Sequence, residues 1–344
     1  MADQPNLERY ARQIMFPGLG IEGQRRLLAS NVVIIGCGAL GSVTASNLVR
    51  AGVGKVTIVD RDYVELNNLA RQTLFDEDDI ARNLPKAIAA AQKLARINST
   101  VEITPVVADV NPGNIERLIS PVDLVLDGTD NFETRYLIND TCVKLGKPWI
   151  YAGVIASYGM TMNIIPGETP CLRCIFLEPP APGTAPTCDT AGVLGTIVSV
   201  VASLQSTEAM KLLVGAREKL NPGLMHVDVW NNTFLQHSAG TPAADCPACG
   251  HHNFEFLLAK EGIRTTVLCG QDAIQVASLT SVQLDLAALA KRLESVGEVA
   301  FNQYMLRLRV DGYELTVFPD ARTIIKGTTD EGVAKTLHAR YIGT

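Results

Sequence analysis

Apolar positions in this chain fall into short unbroken runs separated by stretches of helical spacing, and that alternation sets the expected architecture. Residues 32–35, Val-Val-Ile-Ile, have no polar interruption, which suits a strand buried on both faces of a parallel sheet. A helix-like stretch follows at 42–50, then a second strand at 55–59 that ends on Asp60. Pro85-Lys86 opens a helix that runs to Ile97, with Ile88, Ala91, Leu94 and Ala95 as its core stripe. Further strands are expected at 101–107, 123–126, 149–155, 160–165 and 225–230, with a turn at Tyr158-Gly159 joining 149–155 to 160–165. A long helix covers 196–214, its apolar face on Ile197, Val200, Val201, Leu204 and the Leu212 region. Residues 7–30 look helical, broken by Pro-Gly-Leu-Gly at 17–20. Strands alternating with helices predict an α/β chain: a Rossmann-like mixed sheet with helices on both faces.

Beyond residue 255 the pattern changes. Residues 262–344 read as a small α+β module, with strands at 265–268 and 274–277. Asp285 caps a helix carrying Leu286, Leu289, Leu293 and Val296 on one face. Two alternating runs flank Asp311-Gly312, a sharp hairpin signal, and a last helix covers about 330–341. The expected division is 1–255 and 262–344, with no catalytic constellation in the second part.

The chemistry clusters at strand ends. Gly36, Cys37, Gly38, Ala39, Leu40 and Gly41 spell G-x-G-x-x-G directly after the first strand. Such glycines permit a tight turn and let phosphate approach backbone N–H groups at a helix N-terminus. Asp60 lies 19 residues past Gly41, where a dinucleotide fold places an acid on ribose hydroxyls. Asp62, Asn67, Asn68, Arg71 and Gln72 then form a polar shelf able to hold a triphosphate. A solvated loop is the plainer alternative. Lys86 stands in the first turn of its helix, where the dipole disfavours a cation, so it is either solvated or held by an anion. After the fourth strand, Asp127-Gly128-Thr129-Asp130-Asn131 falls where open α/β sheets bind ligands. Asp130 suits Mg²⁺ on ATP phosphates, and it equally suits the N-cap of the next helix.

Composition narrows the choices. The chain has 344 residues, 47% apolar, with 30 basic against 36 acidic side chains and a net charge of −6. With no basic block, nucleic-acid binding is disfavoured as a main role. The apolar run at 193–204 is ended by Gln205, Glu208 and Lys211, too soon to span a bilayer, and the N-terminus is no signal peptide. The expectation is a cytoplasmic protein with no membrane partner. Four of eight cysteines form two C-x-x-C pairs, Cys171/Cys174 and Cys246/Cys249. Two pairs favour a closed, structural Zn²⁺ site over a redox dithiol. Between the pairs, prolines 179, 180, 182 and 186 make a mobile crossover that includes Cys188, of the kind that serves as a lid or reads a partner.

Taken in order, Arg-Tyr-Ala-Arg-Gln-Ile at 9–14, the glycine motif, Asp60, Asn67-Asn68-Leu69-Ala70-Arg71-Gln72, Pro85-Lys86, Gly-Thr-Asp-Asn at 128–131, the cysteine pairs and the Cys188 segment resemble the ThiF/MoeB/HesA family. The likeness covers residues 7–252. The family comprises bacterial relatives of the ubiquitin-activating enzymes. Members use ATP to adenylylate the C-terminal glycine of a small ubiquitin-like sulfur carrier of the MoaD or ThiS type, ahead of thiocarboxylate formation for molybdopterin, thiamin or related products.

The resemblance implies that Gly36, Gly38, Ala39, Gly41 and Asp60 hold adenosine, that Asn68, Arg71 and Lys86 meet phosphates, and that Asp130, beside Asn131, organises Mg²⁺. Asp62 and Gln72 belong to the same shelf. It implies that Arg12 crosses a homodimer into the neighbour's site, that the four paired cysteines bind Zn²⁺, and that Cys188 is the cysteine some members link covalently to the carrier. Many fused relatives end in a rhodanese domain, whereas Cys269-Gly270 stands in no arginine-rich cradle, so the sulfur donor is expected to be another protein.

A carrier's C-terminal carboxylate, with a pKa of about 3.5, is ionised at neutral pH and needs no general base. Cations and Mg²⁺ suffice to bring it to ATP, which fits the lack of an obvious catalytic histidine. Two alternatives stand beside this: an NAD-dependent oxidoreductase, and a zinc-stapled binding module with an inactive nucleotide pocket.

Overall fold

The computed structural model describes residues 7–180, 188–258, 263–268, 272–278 and 283–343. Two compact units divide at Leu258 and Ala259.

The first unit opens with a 3₁₀ turn, Glu8–Tyr10, and helices α1 (Ala11–Ile14) and α2 (Gly20–Ala29). Then come β1 (Asn31–Ile35), α3 (Ala39–Ala51), β2 (Lys55–Asp60), a 3₁₀ turn at Leu66–Asn68, and α4 (Glu77–Ala81). They are followed by α5 (Lys86–Ile97), β3 (Glu102–Val107), α6 (Ile115–Ile119), β4 (Leu124–Asp127) and α7 (Phe132–Leu145). Next are β5 (Trp149–Ile155), β6 (Tyr158–Ile164), α8 (Leu172–Ile175) and α9 (Cys188–Ala191). Helix α10 (Gly195–Val214) and strands β7 (Gly223–Asp228) and β8 (Thr233–Ser238) complete the unit.

Eight strands make one mixed sheet in the order β3-β2-β1-β4-β5-β6-β7-β8. The first five in that order pair in parallel, and the pairings from β5 to β8 are antiparallel. The order 3-2-1-4-5 reverses direction between β1 and β4, and that switch point opens a crevice at the strands' carboxyl ends. Val33, Ile35, Val125 and Trp149 pack on one face with α6 and α7. Leu40, Ala152, Ile197, Val198 and Val201 pack on the other. Strands buried on both faces explain the unbroken apolar runs.

Several local expectations need correction. Helix α5 buries Lys86, Ala87, Ala89, Ala90 and Leu94, while Ala95 is exposed and Ile88 and Ala91 only half-buried. Alanines let the helix sit close to the sheet, so side-chain size did not mark the buried face. The hairpin turns at Ala156-Ser157, with Ala156 at φ 50°, and not at Tyr158-Gly159. Gly159 lies inside β6 because a Cβ there would meet Val201 of α10 at 2.7 Å. Strand β8 went unforeseen because all six of its residues are exposed and show no apolar alternation.

Helix α10 is long and apolar enough to cross a membrane by length and composition. Its buried face nevertheless carries polar groups with partners. Gln205 Nε2 donates to Asp127 O (2.9 Å) and Ile150 O (3.0 Å), and Glu208 accepts from Asn163 Nδ2 at 2.6 Å. It is the core helix of this sheet.

The second unit contains β9 (Ile263–Leu268), β10 (Ala273–Ser278), α11 (Leu286–Leu293), β11 (Glu298–Phe301), β12 (Leu306–Val310), β13 (Tyr313–Val317), β14 (Thr323–Lys326) and α12 (Glu331–Tyr341). Its six strands form an antiparallel sheet, ordered β11-β12-β13-β14-β10-β9. Asp285 caps α11 by accepting from Ala287 N and Ala288 N, and the turn at Asp311 (φ 51°) and Gly312 (φ 81°) has the left-handed pair that a tight hairpin requires. Val296 lies beyond the end of α11 and is exposed, so it is no part of that face. Cys269 and Gly270 lie outside the described residues.

Candidate functional site

The crevice is built from the ends of three parallel strands. Gly36 follows β1 at φ 89°, and a Cβ on it would stand 2.6 Å from Gly128 O. A Cβ on Gly41 or on Gly128 would collide with Gly36 O. Three glycines therefore let the loop after β1 and the turn after β4 lie against each other, backbone on backbone. The sequence marks Gly128 as part of a polar cluster but not as the partner of Gly36, which lies more than 90 residues away.

Asp60 ends β2 and reaches back to this loop. Its Oδ2 accepts Cys37 N at 2.6 Å and its Oδ1 accepts Asp62 N at 2.7 Å. A carboxylate offers about four lone-pair positions, so acceptor capacity remains for ribose hydroxyls. Burial raises the Asp60 pKa above the usual carboxylate range, and Lys86 opposes the shift.

Lys86 is buried and its Nζ pairs with Asp62 Oδ2 at 3.2 Å, so it is not solvated. The anion that holds it is, in this chain, Asp62. Burial works to lower the Lys86 pKa, but Asp62, Asp60 and Asp130 together carry it well above the ordinary lysine range. Arg61, which sequence reading passed over, pairs with Asp109 at 3.0 Å and extends the same network.

The shelf residues divide. Asn68 is buried and mostly serves its own turn, its Oδ1 accepting Glu65 N at 3.2 Å and its Nδ2 donating to Asn67 Oδ1 at 2.9 Å. Arg71 is half-buried and donates to Asn67 O at 2.9 Å. Gln72 is buried with Oε1 unpartnered among the described residues, and its Nε2 is the nearest atom to where a Cβ on Gly38 would lie, at 3.8 Å. An orphaned amide over a glycine loop fits a site that expects a polar ligand.

Asp130 is not the helix cap. Asn131 has that role, its Oδ1 accepting Thr134 N at 2.9 Å. Asp130 is exposed, and its carboxylate makes no hydrogen bond or salt bridge among the described residues. Behind it, Arg135 bonds Asp127 Oδ2 (3.0 Å), Thr129 O (2.7 Å) and Ala152 O (3.1 Å).

Arg12 does not join this group within the chain. It is exposed, and its neighbour Gln13 donates to Ala51 O at the last residue of α3. The glycine loop lies at the other end of that 13-residue helix, roughly 20 Å away.

Away from the crevice, Cys171, Cys174, Cys246 and Cys249 place their sulfurs within 4.8 Å of one another. Three of the separations are 3.8, 3.5 and 3.3 Å. A tetrahedral ion with Zn–S near 2.3 Å spaces its sulfurs by about 3.8 Å, so the donor set fits zinc. Burial and the neighbouring thiols push the Cys171 thiol up to about 12. Cys188 begins the short helix α9, and its side chain lies outside the described residues.

The family model described as "ThiF family" matches residues 10–248. The chain is 44% identical over 337 residues to "Sulfur carrier protein ThiS adenylyltransferase" of Bacillus subtilis, covering 97% of this chain and 99% of the relative. It is 41% identical over 248 residues to "SAMP-activating enzyme E1" of Haloferax volcanii, covering 72% of this chain and 90% of that one. "Adenylyltransferase and sulfurtransferase MOCS3" of Sus scrofa is 38% identical over 247 residues, covering 72% of this chain and 54% of the relative. Among solved structures, Escherichia coli MccB with MccA-N7isoASN superposes with a TM-score of 0.63 at 22% identity, covering 72% of this chain and 76% of that chain. That last likeness is one of fold.

Proposed function

This chain belongs to the ThiF family, and from that premise we propose that it uses ATP to adenylylate the C-terminal glycine of a small ubiquitin-like sulfur carrier. The carrying observation is the crevice at the switch point, where the glycine loop, Asp60, Lys86 and Asp130, which caps no helix, converge. Asp60 takes the ribose hydroxyls with its remaining lone pairs. The glycine loop lets the nucleotide lie against backbone, and Gln72 supplies an amide above Gly38. Lys86 is pre-charged by its acids, so binding a phosphate requires no change in its protonation.

The carrier carboxylate attacks the α-phosphorus as an anion. The chain's task is to hold it in line and to stabilise the departing pyrophosphate with Arg71 and Lys86. Asp130 would hold Mg²⁺, whose chemistry is neutralisation of phosphate charge. The tetrathiolate set would hold Zn²⁺ as a structural ion.

Arg12 serves the neighbouring subunit of a homodimer, which is supported by its place at the far end of α3 from its own glycine loop. A separate protein donates the sulfur.

Pyrophosphate exchange into ATP tests the assignment. Exchange should require a carrier with an intact Gly-Gly terminus and vanish when that terminus is removed. Tight NAD binding with no exchange for any such carrier would sink it in favour of an oxidoreductase. For the dimer, Arg12→Ala and Lys86→Ala proteins should each lose exchange, and mixing them should restore part of it through heterodimers with one intact site. No recovery despite demonstrated subunit exchange would remove Arg12 from the neighbour's site.

A further inference from the structure

We propose that Arg135 is a positioning residue for this adenylylation, setting the turn at 127–130 against the glycine loop and so aiming Asp130. The inference rests on the crevice's assignment as the nucleotide site. Asp130 makes no hydrogen bond or salt bridge among the described residues, so its place is set chiefly by its backbone. That backbone is held from both sides. On one side the turn lies on Gly36 and Gly41 so closely that a Cβ on Gly128 would collide with Gly36 O. On the other, the Arg135 guanidinium grips Asp127 Oδ2 at 3.0 Å and Thr129 O, one residue before Asp130, at 2.7 Å. A third bond, to Ala152 O at 3.1 Å, anchors the same group to β5.

Asp127 is fully buried, and its second oxygen accepts Thr129 N (2.9 Å) and Thr129 Oγ1 (2.7 Å). The rings of Phe132 and Tyr151 lie 5.5 and 5.4 Å from the guanidinium carbon and hold its plane. A planar fork joins a carboxylate and two carbonyls in one rigid unit, which a lysine ammonium cannot reproduce. Displacement of a positioned group by about 1 Å costs on the order of a hundredfold in rate.

The plainer role for Arg135 is charge compensation of Asp127, which would stabilise the fold and do nothing more. A double-mutant cycle separates the two. Affinity for a non-hydrolysable ATP analogue with magnesium is measured by calorimetry for wild type, Arg135→Lys, Asp130→Asn and the double variant, each checked for folding by its melting curve. We expect Arg135→Lys to weaken binding about tenfold in the wild-type background and less than about twofold beside Asp130→Asn. Equal losses in both backgrounds, or no loss in either, would overturn the proposal.

Should Arg135→Lys fail to fold, Thr129→Val loosens the same turn without leaving a buried charge alone. It is put through the same cycle, with a smaller loss expected and the same dependence on Asp130. Wild-type pyrophosphate exchange is run alongside. Its absence would count against the function, whereas the binding cycle judges Arg135 on its own.

Discussion

The nucleotide crevice and the tetrathiolate cluster are both crowded with ionisable groups, but they manage charge in opposite ways. In the crevice the buried cations have acids within the chain, Lys86 with Asp62 and Arg135 with Asp127, and half-buried Arg61 pairs with Asp109. Such a site keeps its shape before any ligand arrives. The cysteine cluster has four like groups within 4.8 Å of one another, and burial with neighbouring thiols pushes Cys171 up to about 12. It needs a cation to exist with its thiols ionised. Damage to the crevice should therefore appear in rate and affinity, and damage to the cluster in stability.

The largest expected effect is on the cluster. Cys174→Ser, or removal of metal with a strong chelator, should lower the melting temperature by on the order of 10 °C, because a lost metal site is among the few mechanisms with large single-site effects. Elemental analysis should find one zinc per chain beforehand, and retention should weaken as pH falls, since protons compete for the thiolates. Protein purified without chelator and free of zinc, with an unchanged melting curve, would break the contrast.

Next comes Asp130→Ala. Exposed and capping nothing, this residue should cost roughly a hundredfold or more in pyrophosphate exchange while the melting temperature moves by no more than about 2 °C. A large stability loss would mean the crevice is not self-supporting.

The smallest effect is expected at Cys188. It begins the short helix α9, ahead of α10. Cys188→Ala should leave exchange within a few-fold of wild type, with any defect confined to later sulfur transfer. Loss of exchange in the folded variant would make Cys188 part of the nucleotide site.

The features legible in the sequence are those whose residues lie close together along the chain. The glycine motif, the acid at the end of β2 and each C-x-x-C pair are local, and turn chemistry fixes their geometry within a few residues. The buried strands were legible as uninterrupted apolar runs, because a parallel sheet covered on both faces tolerates little else, whereas their order in the sheet is set by the tertiary pairings.

What only the tertiary structure decided are the pairings between distant segments. Lys86 was left between solvent and an anion until the fold brought Asp62 to 3.2 Å from it. Arg135 carried no signal at all, and its role consists of bonds to Asp127, Thr129 and Ala152. Gln205 and Glu208 looked like the polar end of an apolar run, yet they are buried, because hydrogen-bonding partners on β4, β5 and β6 meet them there. A polar side chain's position in the sequence does not reveal whether such a partner waits inside, and desolvation makes that partner the deciding factor.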